Sequence, residues 1–258
     1  MKKTLIPVLL LITAFVSVKA QYSTLNAHSH NDYENDIPFW LAYNNHFGSI
    51  EADIWAVEGE LFVAHYESEI RPDRTLDSLY INPIIETVRQ NGGKAWNGHS
   101  STFQLMIDLK TAIQPTLSLL IKKLQNYPDV FDPMVNENAV RIVITGNRPE
   151  PSEFANYPDF VFFDGVIDRK YDEQQLKRIA LFSENLRKFT SWNGAGDIIE
   201  KEKIHLQNVV DSVHSINKRI RFWNSPDDIN AWNTFIIMGI DYINTDKIIK
   251  LSEYLNNR

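Results

Sequence analysis

Short apolar runs rich in β-branched and aromatic residues recur along the chain, separated by segments whose apolar positions fall three and four apart. The runs lie at residues 24–28, 49–55, 61–65, 103–109, 139–145, 160–166, 219–223 and 242–245, with a shorter one at 179–182. Period-two and continuous apolar runs of this length read as strands. Helices are expected at 37–45, 82–90, 114–126, 200–217 and 228–238. The last is the best marked, because Ser225-Pro226-Asp227-Asp228 supplies capping residues and Gly239 a stop. Alternating β and α units predict an α/β fold with a mostly parallel sheet covered by helices. About eight such units point to a single (β/α)8 TIM-type barrel, with room for distortion, over an open sheet.

Composition narrows this picture. The chain has 258 residues without a Pro/Gly/Ser linker, a repeat or a long charge run, so one barrel domain over residues 21–258 is expected. Residues 1–20 have the layout of a cleaved signal peptide. Lys2 and Lys3 precede an apolar run from Leu5 to Val16, and Val18-Lys19-Ala20 puts small residues at the −3 and −1 positions. The apolar core is too short for a comfortable membrane span. A secreted or periplasmic protein starting near Gln21, with no stable membrane insertion, is therefore expected. The chain has no cysteine, which rules out a lipidated cysteine and leaves the fold to its core. The net charge of −7 argues against nucleic acid and anionic membrane surfaces as partners. A phosphate-bearing substrate then needs local cations or a metal.

Three segments break the apolar pattern in the same way: His28-Ser29-His30-Asn31-Asp32, Ile50-Glu51-Ala52-Asp53-Ile54 and Met106-Ile107-Asp108-Leu109-Lys110. Residues i and i+2 of a strand share a face, so Glu51 projects with Asp53, and Asp108 with Lys110. Unpaired carboxylates inside a barrel are costly. A bound divalent cation, Ca²⁺ or Mg²⁺, resolves the cost, since both take hard oxygen ligands. His65 ends the run after the Glu51/Asp53 strand and becomes an acid/base partner for His30. Two histidines near neutral pKa supply the base and the acid that phosphodiester cleavage needs, with Lys110 assisting at the phosphoryl oxygens. Trp223, at a strand end, is a candidate for lining the substrate pocket.

The order His-Asn, Glu-x-Asp, His and Asp-Leu-Lys resembles the phospholipase C-like phosphodiesterase superfamily. That superfamily includes glycerophosphodiesterases, phosphatidylinositol-specific phospholipases C and sphingomyelinase D toxins. The specific match runs from Ala27 to about Lys110 and continues weakly to Arg221-Phe222-Trp223-Asn224 and the Gly239–Asp246 segment. His-Ser-His-Asn-Asp-Tyr, with Arg74-Thr75-Leu76 and Leu79-Tyr80-Ile81-Asn82-Pro83, is most similar to a branch containing bacterial secreted members and a fungal protein named for altered mitochondrial inheritance. The resemblance implies His30 and His65 as catalytic histidines, and Asn31, Glu51, Asp53 and Asp108 as metal ligands. It implies Lys110 as a phosphate contact. Glycerophosphodiesterases carry His-Arg-Gly where this chain has His30-Asn31-Asp32, and His-Asp where it has His65-Tyr66. These departures bear on the substrate more than on the reaction class. The expected function is metal-dependent hydrolysis of a glycerophosphodiester or phospholipid-like substrate. The alternative is a non-catalytic barrel that binds a phosphorylated headgroup or sugar phosphate.

His28 is a lesser candidate, as an extra ligand, a supporting group or a packed polar residue at the barrel mouth. Arg71 and Arg74 read as a surface pair within reach of a headgroup, and Glu184 and Asn185 as mouth-lining residues. His46, His99, His205 and His214 read as loop or helix residues, and Trp192-Asn193-Gly194-Ala195-Gly196 as a loop. His28-Ser29-His30 also has the His-x-His form of zinc-dependent amidohydrolases, but the histidines after His65 do not fall at strand ends.

Overall fold

The computed structural model describes residues 22–98 and 102–258; the expected signal peptide and His99 lie outside the described residues. The strands are β1 (Ala27–Ser29), β2 (Ser49–Val57), β3 (Glu60–Val63), β4 (Gln104–Leu109), β5 (Arg141–Gly146), β6 (Val161–Gly165), β7 (Ile179–Asn185), β8 (Arg219–Trp223) and β9 (Ile243–Thr245). The α-helices are α1 (Trp40–Asn44), α2 (Asn82–Gln90), α3 (Ile113–Leu124), α4 (Pro128–Phe131), α5 (Glu173–Arg178), α6 (Glu200–Ser215), α7 (Ile229–Met238) and α8 (Ile248–Asn256). Strand order is β8-β7-β6-β5-β4-β2-β1-β9, every neighbour parallel, which makes a nearly closed barrel. At the seam, β8 meets the start of β9 through one bridge, Arg221 to Tyr242.

Strand alternation sorts the side chains into two cores. Ile50, Ala52 and Ile54 of β2, Leu105, Ile107 and Leu109 of β4, and Ile142 and Ile144 of β5 face outward into the main core under the helices. A separate small cluster of Met106, Val143, Leu181 and Tyr242, with Phe162 against it, plugs the barrel interior. Arg141 stacks on Phe162 and Arg219 on Tyr242 at the base of that plug. Full burial of a Leu, Ile or Phe contributes roughly 1.5–3 kcal/mol. The outer face therefore carries most of the stability, which frees the inward positions above the plug for polar groups.

Two apolar runs fold differently from expectation. The run at 24–28 opens as a 3-10 turn, Thr24–Asn26, capped by the Ser23 side chain, and only Ala27–Ser29 is strand. The run at 61–65 is not a barrel strand. It folds back as β3, antiparallel to β2, through Glu58 and Gly59, whose φ values of 50° and 85° suit a tight two-residue hairpin. His65 lies just beyond this hairpin, in a loop. The eighth parallel strand is instead β7, longer than the 179–182 run. Helix α7 is capped as expected: Asp228 accepts from the Ala231 amide at 2.9 Å, and Gly239 follows in the left-handed region.

Candidate active site

The inward polar positions meet in a cavity of about 490 Å³ at the ends of β1, β2 and β4 to β8. Glu51 and Asp53 come from alternate positions of β2, and Asp108 from β4, where it is in register with Asp53. One carboxylate oxygen from each lies within 4.8 Å of the others. Asp53 Oδ2 accepts from the Tyr33 hydroxyl at 2.7 Å and pairs with Lys110 at 2.8 Å, while its Oδ1 is buried without a partner. Lys110 also bonds Asp108 Oδ2 at 3.1 Å. Burial, reinforced by the negative charge of Glu51, raises the pKa of both Asp53 and Asp108. Three carboxylates crowded in this way, with an orphaned oxygen among them, fit a hard divalent cation.

Gly146 at the end of β5 makes room for the cluster. Its φ is +67°, and a Cβ there would come within 1.9 Å of Asp108 Oδ1. Only glycine combines that backbone with that approach.

Each expected catalytic histidine is held through Nδ1 by an acid. His30 bonds Asp246 Oδ1 at 2.8 Å, and His65 bonds Asp53 Oδ2 at 3.1 Å. The Tyr33 hydroxyl stands 3.2 Å from His65 Nδ1. Burial works against a charged His30, but the Asp246 bond and the Glu51 charge outweigh it and raise its pKa. Asn31 lines the same cavity with φ 44°, a left-handed conformation that asparagine tolerates. Its amide nitrogen lies 3.5 Å from Glu34. Trp223 stands at the rim, 38% exposed.

A buried polar layer lies beneath the mouth. Arg221 of β8 reaches across the barrel to Glu51 Oε2 and Asn244 through Nη1, and to Ser183 through Nε. His28 is wholly buried and not at the mouth. Its Nε2 lies 2.7 Å from Glu51 Oε2 and its Nδ1 2.7 Å from Ser49 Oγ, with Arg221 Nη1 packed against the ring. The Glu51 carboxylate only accepts, so Nε2 carries the ring proton and Nδ1 accepts from the Ser49 hydroxyl, which itself accepts from Gln104. Burial pushes the His28 pKa down to about 3, so this ring is neutral. Burial alone would raise Glu51, but the Arg221 guanidinium and the His28 bond hold it well below the usual carboxylate range.

The site therefore gathers His30, Asn31, Glu51, Asp53, His65, Asp108, Lys110 and Trp223. Other candidates are engaged elsewhere. Arg71 pairs with Asp73, Arg74 donates to the Tyr33 carbonyl, and His214 bonds Asp241. His46 packs edge-on against Trp96, and His205 lies near Phe189. Sequence reasoning missed Arg221, Asp246, Tyr33, Asp164 and Gly146. Arg221 and Asp164 did leave a signal, a charge at an inward position of an apolar strand.

Residues 16–164 match the model for an AIM6-like phosphodiesterase domain, and residues 219–249 match that of the glycerophosphoryl diester phosphodiesterase family. The chain is 25% identical to altered inheritance of mitochondria protein 6 of Eremothecium gossypii, over 88% of this chain and 68% of that protein. It is 26% identical to the protein of the same name from Kluyveromyces lactis, over 89% and 72%. A glycerophosphodiester phosphodiesterase from Parabacteroides distasonis superposes with a TM-score of 0.53 at 12% identity, over 90% of this chain and 97% of that one. At that identity the likeness shows a shared barrel fold.

Proposed function

The chain belongs to the AIM6-like phosphodiesterase domain family, and on that premise we propose that it is a metal-dependent phosphodiester hydrolase using two-histidine general acid/base catalysis. Its substrate in this reading is a glycerophosphodiester or phospholipid-like molecule. The observation that carries the reading is that His30 and His65, each held through Nδ1 by its own carboxylate, line one cavity with a three-carboxylate cluster.

Asn31, Glu51, Asp53 and Asp108 would hold the cation, Ca²⁺ or Mg²⁺ by the chemistry of the donor set. Such a cation supplies charge at the phosphoryl oxygens and lowers the pKa of an attacking hydroxyl or water. The protein's own residues do the rest. Asp246 and Asp53 occupy Nδ1 of the two rings, which leaves each Nε2 as the nitrogen that exchanges a proton with substrate. One ring takes the proton of the attacking hydroxyl and the other gives a proton to the departing alcohol. Lys110, kept cationic by Asp53 and Asp108 against the effect of burial, adds positive charge where the phosphoryl oxygens gather it. Trp223 lines the substrate's path. In this reading residues 1–20 direct export, and the working protein starts near Gln21.

The test is hydrolysis of a chromogenic diester and a set of glycerophosphodiesters and lipids by the chain from Gln21 onward. The assays run with Ca²⁺, with Mg²⁺ and with chelator, alongside His30→Ala and Glu51→Ala. Cation-dependent turnover that disappears in both variants is the expected result. Folded, cation-loaded protein that turns over none of these substrates would favour the headgroup-binding barrel instead.

A further inference from the structure

Among the described residues, four buried side-chain oxygens lack a hydrogen-bond partner; one belongs to Asp53 of the carboxylate cluster and one to Asp164 of the cavity lining. Asp53 Oδ1 is explained by the carboxylate cluster. Asp164 Oδ1 is not.

Asp164 sits on β6, 3% exposed, in the cavity wall two strands from Asp108 of β4. Its Oδ2 accepts from the Thr145 hydroxyl at 3.0 Å. Thr145 also stands 3.4 Å from the Arg148 guanidinium. The same wall carries Ser183, the Glu184–Lys188 pair at 2.7 Å, and Arg221. Burial raises the Asp164 pKa and favours the neutral acid, although the Arg148 and Arg221 charges and the Ser183 and Thr145 hydroxyls oppose this.

On the phosphodiesterase reading, one of the substrate's two alcohol groups is the group for this wall to recognise, since Asp164 lines the same cavity as Glu51 and Asp108. The chemistry of the wall narrows what that group is. A buried oxygen without a partner is costly until a donor or acceptor meets it. A trimethylammonium group offers neither and calls for an aromatic cage. Among the described residues, Trp223 is the one phenyl-, phenol- or indole-bearing side chain in the cavity lining, too few for a cage, and the Arg148 guanidinium beside Thr145 adds positive charge to this wall. A hydroxyl both donates and accepts, as a carboxyl flanked by Thr145 and Ser183 requires. We propose that Asp164 is a specificity-determining residue that hydrogen-bonds a neutral hydroxyl of the substrate's alcohol moiety. The site then takes polyol diesters in preference to choline diesters. This assignment rests on the phosphodiesterase reading above and names the substrate class for that site.

The experiment compares kcat/KM for glycerophosphoinositol, glycerophosphocholine and bis(p-nitrophenyl) phosphate in the cation-loaded wild type, Asp164→Asn and Asp164→Leu. A hydrogen bond lost at a buried partner corresponds to on the order of a ten-fold change or more. The wild type should prefer glycerophosphoinositol over glycerophosphocholine by at least about that factor. The preference should largely persist in Asp164→Asn and collapse in Asp164→Leu. A wild-type preference for the choline diester overturns the proposal without any variant, as does an unchanged ratio in folded Asp164→Leu. If the wild type cleaves not even the nitrophenyl diester, the hydrolase reading fails and Asp164 is judged by binding. Saturation-transfer NMR should then detect inositol, and not choline, on the wild type and lose it on Asp164→Leu. Equal inositol signals from both proteins would also reject the assignment.

Discussion

Arg221 Nη1 lies 2.5 Å from Glu51 Oε2, joining β8 to β2 across the barrel interior although the two residues are 170 positions apart in the chain. The same guanidinium bonds Asn244 of β9 and Ser183 of β7. It therefore spans the seam where the sheet has a single bridge between β8 and β9. Both side chains are buried, so removing one leaves the other charge uncompensated. Breaking such a pair costs about 3–5 kcal/mol. Arg221→Met should thus lower the Tm by roughly 6–20 °C, at 2–4 °C per kcal/mol for a chain of this size. Thermal unfolding by circular dichroism measures it. A drop within a degree or two would mean that the seam does not depend on this contact.

Gly146 controls the space beside Asp108. In Gly146→Ala the new Cβ would come within 1.9 Å of Asp108 Oδ1 at a backbone φ of +67°. The carboxylate has to leave the position in which it meets Glu51 and Asp53. Displacing a group that orients a ligand weakens metal affinity by roughly 10–100-fold. Calorimetric titration with Ca²⁺ or Mg²⁺ should show that loss, and cation at a hundred-fold excess over the wild-type Kd should no longer add its roughly 2.7 kcal/mol of stability. Wild-type affinity in the variant would remove Asp108 from the ligand set.

The carboxylate cluster was legible in the sequence because each acid interrupts an apolar strand at an inward position. In β4, Leu105, Ile107 and Leu109 face the helices, so Asp108 has to face the barrel interior. The roles of Arg221 and Asp164 were not legible, although the same alternation puts both inward. The Arg221 partners Glu51 and Asn244 come from strands that only barrel closure brings near, and Asp164 meets Thr145 of the neighbouring strand through a pairing that the sequence does not mark. Asp246 reads along the chain as a residue between strand and helix, and its bond to His30 joins the two ends of the chain. The run at 61–65 misled for a local reason. It is as apolar as a barrel strand, and the Glu58-Gly59 turn alone tells that it folds back on β2.

His28 makes folding sensitive to acid. Its folded pKa of about 3 lies below the ordinary 6.5, because burial outweighs the bond to Glu51. The folded state therefore refuses a proton that the unfolded chain accepts. Its contribution is complete above pH 6.5 and is lost as the pH falls toward 3. One proton changes stability by about 1.4 kcal/mol per pH unit in that window. Urea midpoints at pH 7 and pH 5 should therefore differ more for the wild type than for His28→Gln. Equal differences would mean that His28 titrates as it does in the unfolded chain.

Asp246→Asn tests how His30 is tuned. The Asp246 carboxylate accepts from Nδ1 and helps raise the pKa of His30 against the effect of burial. An asparagine keeps the shape and removes the charge, so the pKa falls. If His30 is the base, the acidic limb of the kcat/KM profile moves to lower pH. If His30 is the acid, the basic limb moves to lower pH and the bell narrows. The limb that moves thus assigns the roles of His30 and His65. The rate falls as well, within the roughly 100- to 10,000-fold that general acid–base catalysis contributes. A variant with reduced rate and neither limb displaced would restrict Asp246 to a structural part, because a change of shape alone does not move a titration.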